Sequence, residues 1–358
     1  MTLPLISVLI DTYNYGRFVE EALDSVMAQD YPAERMEIIV VDDGSTDDTP
    51  ERVAKYLKAS PRHARIQYVR KENGGQASAF NSGIARAKGE LVAFLDADDY
   101  WLPGKLTRVV EEFQKEPHAV MVYHKYEFWD PRENWSWEPG IALVTGDVPA
   151  SRRKLLEYVA APTSSLVFRR EALERIGPIP EGLTFMADAF LVGTSIFVGP
   201  VGAVEECLAK NRVHGGNRWF AERGKPSAEV VRGRARLREK AILGLALWAK
   251  ENVPRARRGQ ARLLLSLWRL LQETDEFQLE RPGRWREFVH LCRHAIADGT
   301  TVSTGFFVYR WVHAFAVLIV GRHARYLEGV RTRIRTVMRR LGGGPNPAKR
   351  ADETVGQP

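Results

Sequence analysis

An α/β fold, a mostly parallel sheet flanked by helices and followed by an α-helical C-terminal extension, is what this 358-residue sequence predicts. Two patterns carry that expectation. Through roughly the first hundred residues, nearly all-apolar runs of strand length alternate with helix-length amphipathic stretches, as βαβ units require. Beyond about Phe220 the pattern changes to long Leu-, Ala- and Arg-rich stretches with apolar residues at i, i+3 and i+4.

The expected strands are Leu5–Ile10, Glu37–Val41, Ile66–Arg70 and Leu91–Leu95, three of them apolar enough to be covered on both faces. Between the first two, Phe18, Ala22, Leu23, Val26 and Met27 recur at helical spacing. Thr49-Pro50 then supplies a cap and a first-turn proline for a second helix. Further strands are expected over Ala119–Phe128 and Thr163–Arg169, with Trp129–Gly140 as a loop and Glu171–Ile176 as a short helix ended by Gly177-Pro178. Ala228–Lys250 and Arg255–Glu273 read as helices of the C-terminal extension, and Gly342–Pro358 as a disordered tail. The expected organisation is a catalytic domain over 1–220, a basic helical region over 221–341 and the tail over 342–358.

Charge divides along the same line. Residues 221–358 hold 27 Lys and Arg against 13 Asp and Glu, while residues 1–220 hold 25 against 32. A strongly basic end suits an anionic surface, or simply solvated helix faces. Cys207 and Cys292 have neither disulfide-framework nor zinc-ligand spacing, and MTLPLISVLIDTYN lacks the marks of a signal peptide, so a reducing cytoplasm is the expected setting.

The chemistry is signalled by aspartates that follow three separate strands: Asp11 after ISVLI, Asp42 and Asp43 after EIIVV, and Asp96 and Asp98 after ELVAFL. Ligands of open α/β sheets bind outside the carboxyl ends of the strands, so these side chains should converge on one crevice. Pooled carboxylates repel one another unless a cation or a donor-rich ligand offsets them. In FLDADD an extended chain would turn Asp96 and Asp98 to one ligand and Asp99 to the other side. Hard oxygen donors without nearby Cys or His select Mg²⁺ or Mn²⁺, which bridge carboxylates to phosphates. Neither GxGxxG after the first strand nor GxxxxGK[ST] occurs, so the phosphates are held some other way.

ISVLIDTYNYGRFVEEALDSV, EIIVVDDGSTDDT and ENGGQASAFNSGIARAKGELVAFLDADD, in that order, resemble the donor-binding half of a family 2 glycosyltransferase of the GT-A fold. The similarity is dense from Leu5 to about Pro103 and thinner through TSSLVFRREALERIGPIPE to RVHGGN at Arg212–Asn217. It implies that Thr12, Tyr13, Asn14 and Asp42 hold the nucleoside, with Tyr13 stacking on the base and Asp42 on its edge. Asn73, Gly74, Gly75 and Asn81 would shape the donor pocket, the glycines permitting close backbone approach. Asp96 would contact the ribose or metal-bound water, Asp98 would ligate the metal, and His214, with Arg212 beside it, would close over the diphosphate as metal ligand or phosphate partner.

The resemblance also implies an inverting mechanism with a carboxylate base. TFMADAFLV places Asp188 there, although Ala187 stands where relatives carry an acid; the alternative is that Asp188 caps a helix. Asp11 stands where many relatives have proline. The implied activity is hexosyl transfer from a nucleoside-diphosphate sugar, expected to be UDP-linked, to a hydroxyl acceptor in polysaccharide, cell-envelope glycan or glycolipid synthesis. QxxRW and multiple spans, marks of processive relatives, are absent. A sugar nucleotidyltransferase would need a Gly-rich basic phosphate loop near the N-terminus, and an inactive module of the same fold would lack the Asp-x-Asp or the base.

A last expectation concerns Phe306–Val320, apolar but only fifteen residues long and broken by Arg310 and His313, against the about 20 residues a span needs. Followed by an arginine cluster, it suits peripheral contact of 303–341 with anionic membrane and a lipid-linked acceptor, or equally packing in a helical bundle. Nucleic acid is not an expected partner.

Overall fold

The computed structural model describes residues 3–59, 65–139, 143–151, 154, 158, 161–215, 217, 228–265 and 268. The chain divides into two compact units, Met1–Glu276 and Phe277–Pro358, and every described residue belongs to the first. The expectations for 303–341, Cys292 and the tail lie outside the described residues.

Strands β1 (Ile6–Thr12), β2 (Met36–Asp42), β3 (Ile66–Arg70) and β4 (Leu91–Asp96) pair in parallel in the spatial order β3-β2-β1-β4. The apolar runs of β1, β2 and β4 are buried on both faces, since side chains alternate across the pleat, whereas the edge strand β3 exposes Gln67 and Arg70. Ile6, Val8 and Ile10 pack with Val19 and Leu23 of α1 (Gly16–Met27) and Val53 of α2 (Thr49–Ala59). Leu9, Val92 and Phe94 face the opposite core with Phe80 of α3 (Gln76–Ile84). Each expected strand is present, and β1, β2 and β4 run one or two residues further, which carries Asp11, Asp42 and Asp96 into the ladder itself.

The second half of the sheet is mixed. After β5 (Tyr100–Trp101) and α4 (Lys105–Lys115) come β6 (Met121–Asp130), β7 (Trp135–Trp137) and β8 (Val167–Arg169). β8 inserts antiparallel between β4 and β6. β9 (Val201–Arg212) runs parallel to β6 and carries β5 on its other edge.

Two expectations change here. Only Val167–Arg169 of the expected strand Thr163–Arg169 is extended; Thr163–Ser165 forms a 3₁₀ turn, since Ser164 bonds outward to groups beneath the carboxylates. Trp129–Gly140 is not wholly loop, because Trp135–Trp137 folds back on β6 through Asn134, whose φ is 45°, and stacks Trp137 on Phe128.

The helical stretch beyond 220 begins as expected. α5 (Arg170–Ile176) and α6 (Ala187–Val198) lie on the second core, and α7 (Ala228–Asn252) packs against them. Leu245 approaches Gly193 of α6 so closely that a Cβ there would meet its Cδ2 at 3.0 Å, and the Trp248 indole donates to the Ile176 carbonyl at 2.7 Å. Leu245 therefore shares one core with Phe190 and Leu183. Leu245→Ala should cost about 2–5 kcal/mol and shift one cooperative urea transition of the sheet as a whole. A separate early transition with the remainder unmoved would show that α7 folds independently.

Candidate active site

Register explains why the carboxylates meet. In the parallel β1/β4 pair Asp11 stands opposite Asp96, and in the β1/β2 pair Thr12 stands opposite Asp42. The strand ends open into a cleft of about 690 Å³. Asp11, Asp43, Asp96, Asp98, Asp99 and Asp188 all line it, as do Thr12, Tyr13, Asn14, Asn73, Gly75 and Arg212.

Crowding is visible in the acid strengths. Burial, then the charges of Asp11, Asp99, Asp98 and Asp188, push the Asp96 carboxyl well above its ordinary range. Burial, opposed by a hydrogen bond with Asp96, raises Asp11 to about 7. One Asp11 oxygen is buried without a hydrogen-bond partner. One oxygen each of Asp96, Asp98 and Asp99 lies within 4.8 Å of the other two, so this triad could hold a metal ion. An all-oxygen set of this kind fits a hard divalent cation.

Asp99 does not face away, as extended geometry would have it. Its N–H bonds to the Asp96 carbonyl at 2.9 Å, so the chain turns after β4 and the alternation rule lapses. Its carboxylate accepts from Ser164 Oγ at 2.5 Å, Asn211 Nδ2 at 2.7 Å and the Arg212 N–H at 2.9 Å. With both oxygens so used, Asp96 and Asp98 are the better placed ligands. Ser164 also accepts from the Asp96 N–H at 3.2 Å, and its carbonyl takes Trp101 Nε1 at 2.9 Å and Lys105 Nζ at 2.6 Å. Lys105 is fully buried, its ammonium 3.7 Å from the Trp101 ring centroid, and burial pushes its pKa well below the ordinary value against the opposing pull of Asp99.

The end of β9 delivers Arg212, and His214 just beyond it, to Asp98. The Arg212 guanidinium donates to the Asp98 carbonyl at 3.0 Å, pairs with Glu21 and lies between the Phe18 and Trp129 rings. His214 Nε2 is 3.0 Å from Asp98 Oδ2, and its Nδ1 is 3.1 Å from Arg17 Nη2. An arginine only donates, so Nδ1 accepts and the proton of a neutral His214 is assigned to Nε2, pointing at Asp98.

The end of the cleft beside Asn14 and Asp43 is organised by backbone. Asn14, at φ 59°, turns its side-chain oxygen to the Thr46 N–H at 2.7 Å. Asp43 accepts from Lys71 at 2.7 Å, Gly74 N–H at 3.0 Å and Gly75 N–H at 2.6 Å, while Asn73 donates to the Asp43 carbonyl. Gly75 has φ 82°, and a Cβ there would lie 2.4 Å from Thr184 Cα, so only glycine fits. Tyr13 stands 36% exposed at the lip. Asp42 is buried behind this wall, held by the Ser45 N–H and the Tyr68 hydroxyl. Gly74 is absent from the cleft lining, as is Asn81, whose amide clamps both backbone groups of Ile179 at 2.8 and 2.9 Å.

On the far wall α6 starts at Ala187, with Met186 ahead of it at φ 67°, so Asp188 lies in the first turn rather than at the N-cap. Its carboxylate accepts from the Ala189 N–H at 2.7 Å, and burial, against these hydrogen bonds, raises its pKa to about 6. Glu181 is exposed and outside the cleft lining. Sequence reasoning missed Gln76, Arg17 and Ser164. Gln76 Oε1 accepts from the Ala187 N–H at 3.1 Å while its Nε2 faces Asp96 and Thr163, each at 3.5 Å, tying the helix that carries Asp188 to the strand-end carboxylates.

Raised acid strengths have a pH signature. A folded-state pKa of about 7 for Asp11, against about 3.9 when unfolded, contributes stability below the lower value that is lost as pH rises through the upper one. In EDTA, Asp11→Asn should therefore melt above the parent protein at pH 8 and converge with it at pH 4, by about 2–4 °C per kcal/mol relieved. A variant no more stable than its parent at pH 8 would mean the Asp11 charge is not a burden.

The model of the family described as "Glycosyl transferase family 2" matches residues 7–177. An uncharacterized glycosyltransferase of Nostoc sp. is 35% identical over 239 residues, 64% of this chain and 71% of the relative. One of Rickettsia typhi is 33% identical over 218 residues, 59% and 64% of the two chains. Among solved structures, S. aureus TarS 1–349 in complex with UDP-GlcNAc superposes with a TM-score of 0.57 at 17% identity, over 88% of this chain and 80% of that one. The mannosyltransferase PcManGT of Pyrobaculum calidifontis, in complex with GDP-Man and Mn²⁺, gives 0.56 at 22% identity, over 89% and 81%. At such identities the superpositions show the fold, that of GT-A glycosyltransferases.

Proposed function

The chain belongs to glycosyl transferase family 2, and we propose that it transfers a hexosyl group from a nucleoside-diphosphate sugar to an acceptor hydroxyl, with inversion and with Mg²⁺ or Mn²⁺. One observation carries this reading: Asp188, with a pKa raised to about 6, opens into the same cleft as Asp96 and Asp98. A base poised near the working pH on one wall and a cation-hungry carboxylate pair on the other is the division of labour that such a transfer needs.

Tyr13 offers its ring to the base, and Thr12, Asn14, Asn73 and Gly75 shape the space for nucleoside and sugar; Asp42 and Asn81 support the pocket from behind its wall. Uridine is our working choice of base, and TarS with UDP-GlcNAc and PcManGT with GDP-Man define the two donors to test first. Asp96 and Asp98 would hold the cation, with His214 beside them. When bound, it would offset the charge of the departing diphosphate. The acceptor oxygen gives its proton to an Asp188 carboxylate oxygen and bonds to the anomeric carbon from the face opposite the diphosphate. The bond from that carbon to the phosphate oxygen breaks, and the nucleoside diphosphate leaves with the electron pair.

Membership of the family and an intact carboxylate set favour an enzyme over an inactive sugar-nucleotide-binding module. The setting proposed is polysaccharide, cell-envelope glycan or glycolipid synthesis. No described helix is long and apolar enough to cross a membrane.

Incubation with UDP- and GDP-sugars and Mn²⁺, following nucleoside-diphosphate release, tests the reading directly; no release from any donor would end it. Asp98→Ala should abolish release and metal-dependent donor binding with no loss of melting temperature, and full activity in EDTA would exclude the metal role. Asp188→Asn should leave donor affinity within a few-fold while turnover falls by roughly 10²–10⁴. In the parent enzyme, kcat should decline as pH falls through about 6, where the Asp188 base takes up its proton. A pH-independent kcat between 5 and 8 would place the base elsewhere.

A further inference from the structure

Among the described residues the cleft lining holds six aspartates and two arginines. A nucleoside diphosphate entering such a site brings more negative charge, and one divalent ion alone leaves the balance negative. The two arginines are not equivalent. Arg212 is buried, with its guanidinium committed to Glu21 and to the Asp98 carbonyl. Arg17, in the first turn of α1, is exposed and has no carboxylate partner among the described residues. Its guanidinium lies 4.4 Å from the Phe18 ring centroid, and its hydrogen bond to a side chain is the one to His214 Nδ1.

Position makes this arginine informative. One imidazole separates it from Asp98: Arg17 Nη2 to Nδ1 is 3.1 Å, and Nε2 to Asp98 Oδ2 is 3.0 Å. Any phosphate that reaches a cation on Asp98 therefore comes within the swing of the Arg17 side chain. A neutral imidazole nitrogen is also a weaker partner for a guanidinium than a phosphate oxygen, which accepts in the bidentate, charge-assisted form.

We propose that Arg17 is a phosphate-binding residue that exchanges His214 for the diphosphate of the donor. The inference rests on the transferase reading and adds a residue that the strand-end pattern does not contain. Exchange also frees Nδ1, so the imidazole is no longer fixed as a donor toward Asp98 and becomes available to the cation or the phosphates. Donor capture and rearrangement of His214 are then one event.

Titration calorimetry in the presence of MnCl₂, with uridine, UMP and UDP and in parallel guanosine, GMP and GDP, separates phosphate from base recognition. Arg17→Gln should lose roughly 10–100-fold in affinity for the diphosphate that the parent protein prefers, the worth of a charge-assisted hydrogen bond. The loss should be smaller for the monophosphate and within twofold of none for the nucleoside. Arg17→Lys, which keeps the charge without the fork, should fall between. Unchanged diphosphate affinity in Arg17→Gln, or equal losses for nucleoside and diphosphate at an unchanged melting temperature, would overturn the proposal while leaving the transferase reading intact. If the parent protein binds neither UDP nor GDP, that reading and this inference fall together.

Discussion

Like charges held close together govern this protein. Parallel pairing sets Asp11 against Asp96 in register, and the turn that follows β4 brings Asp98 and Asp99 to the same point. Burying carboxylates without compensation is costly, so much of the surrounding structure can be read as their accommodation. Ser164 binds Asp99 and the Asp96 backbone at once, and Lys105 lies beneath through the Ser164 carbonyl. Arg212 and Asn211 bring two further donors from the end of β9. The repulsion that remains on Asp96 and Asp11 is a standing attraction for a cation.

Legibility in the sequence followed the range of the interactions. β1, β2 and β4 were readable because burial on both faces leaves an apolar run in the sequence itself, and the helical stretch at Ala228–Asn252 because amphipathic spacing is local. The strand-end aspartates were readable for the same reason, and the cleft does collect Asp11, Asp96, Asp98 and Asp188. β9 was not foreseen. It carries Glu205 and Glu206 to solvent and its pairing is shifted by a bulge opposite Lys125, so neither alternation nor an apolar run marks it. Ser164 and Gln76 escaped because their meaning lies in partners 65 and 111 residues away. Asp99 was assigned to the wrong side because a two-residue period holds only while the chain stays extended.

Fold and chemistry are separable here. The sheet with its two cores is shared with GT-A enzymes at identities too low to carry function. Local features of this chain include Ala187 ahead of Asp188, an aspartate at position 11, and an arginine at 17 that reaches His214. Gln76 is the mechanical link among them. By bonding to the first turn of α6 and facing Asp96, it ties the wall that carries Asp188 to the strand end that carries Asp96.

The partners of Asp99 also bear on how the chain acquires its structure. Those partners sit 65, 112 and 113 residues downstream, at Ser164, Asn211 and Arg212. Register within β1 and β4 already places Asp11 opposite Asp96, whereas all three donors to the Asp99 carboxylate come later in the chain. Closing loops of that length is slow and entropically unfavourable compared with forming the local βαβ contacts. The network around Asp99 therefore closes three long loops in the chain. The site is therefore covalently complete only once the chain has extended through the end of β9 at Arg212.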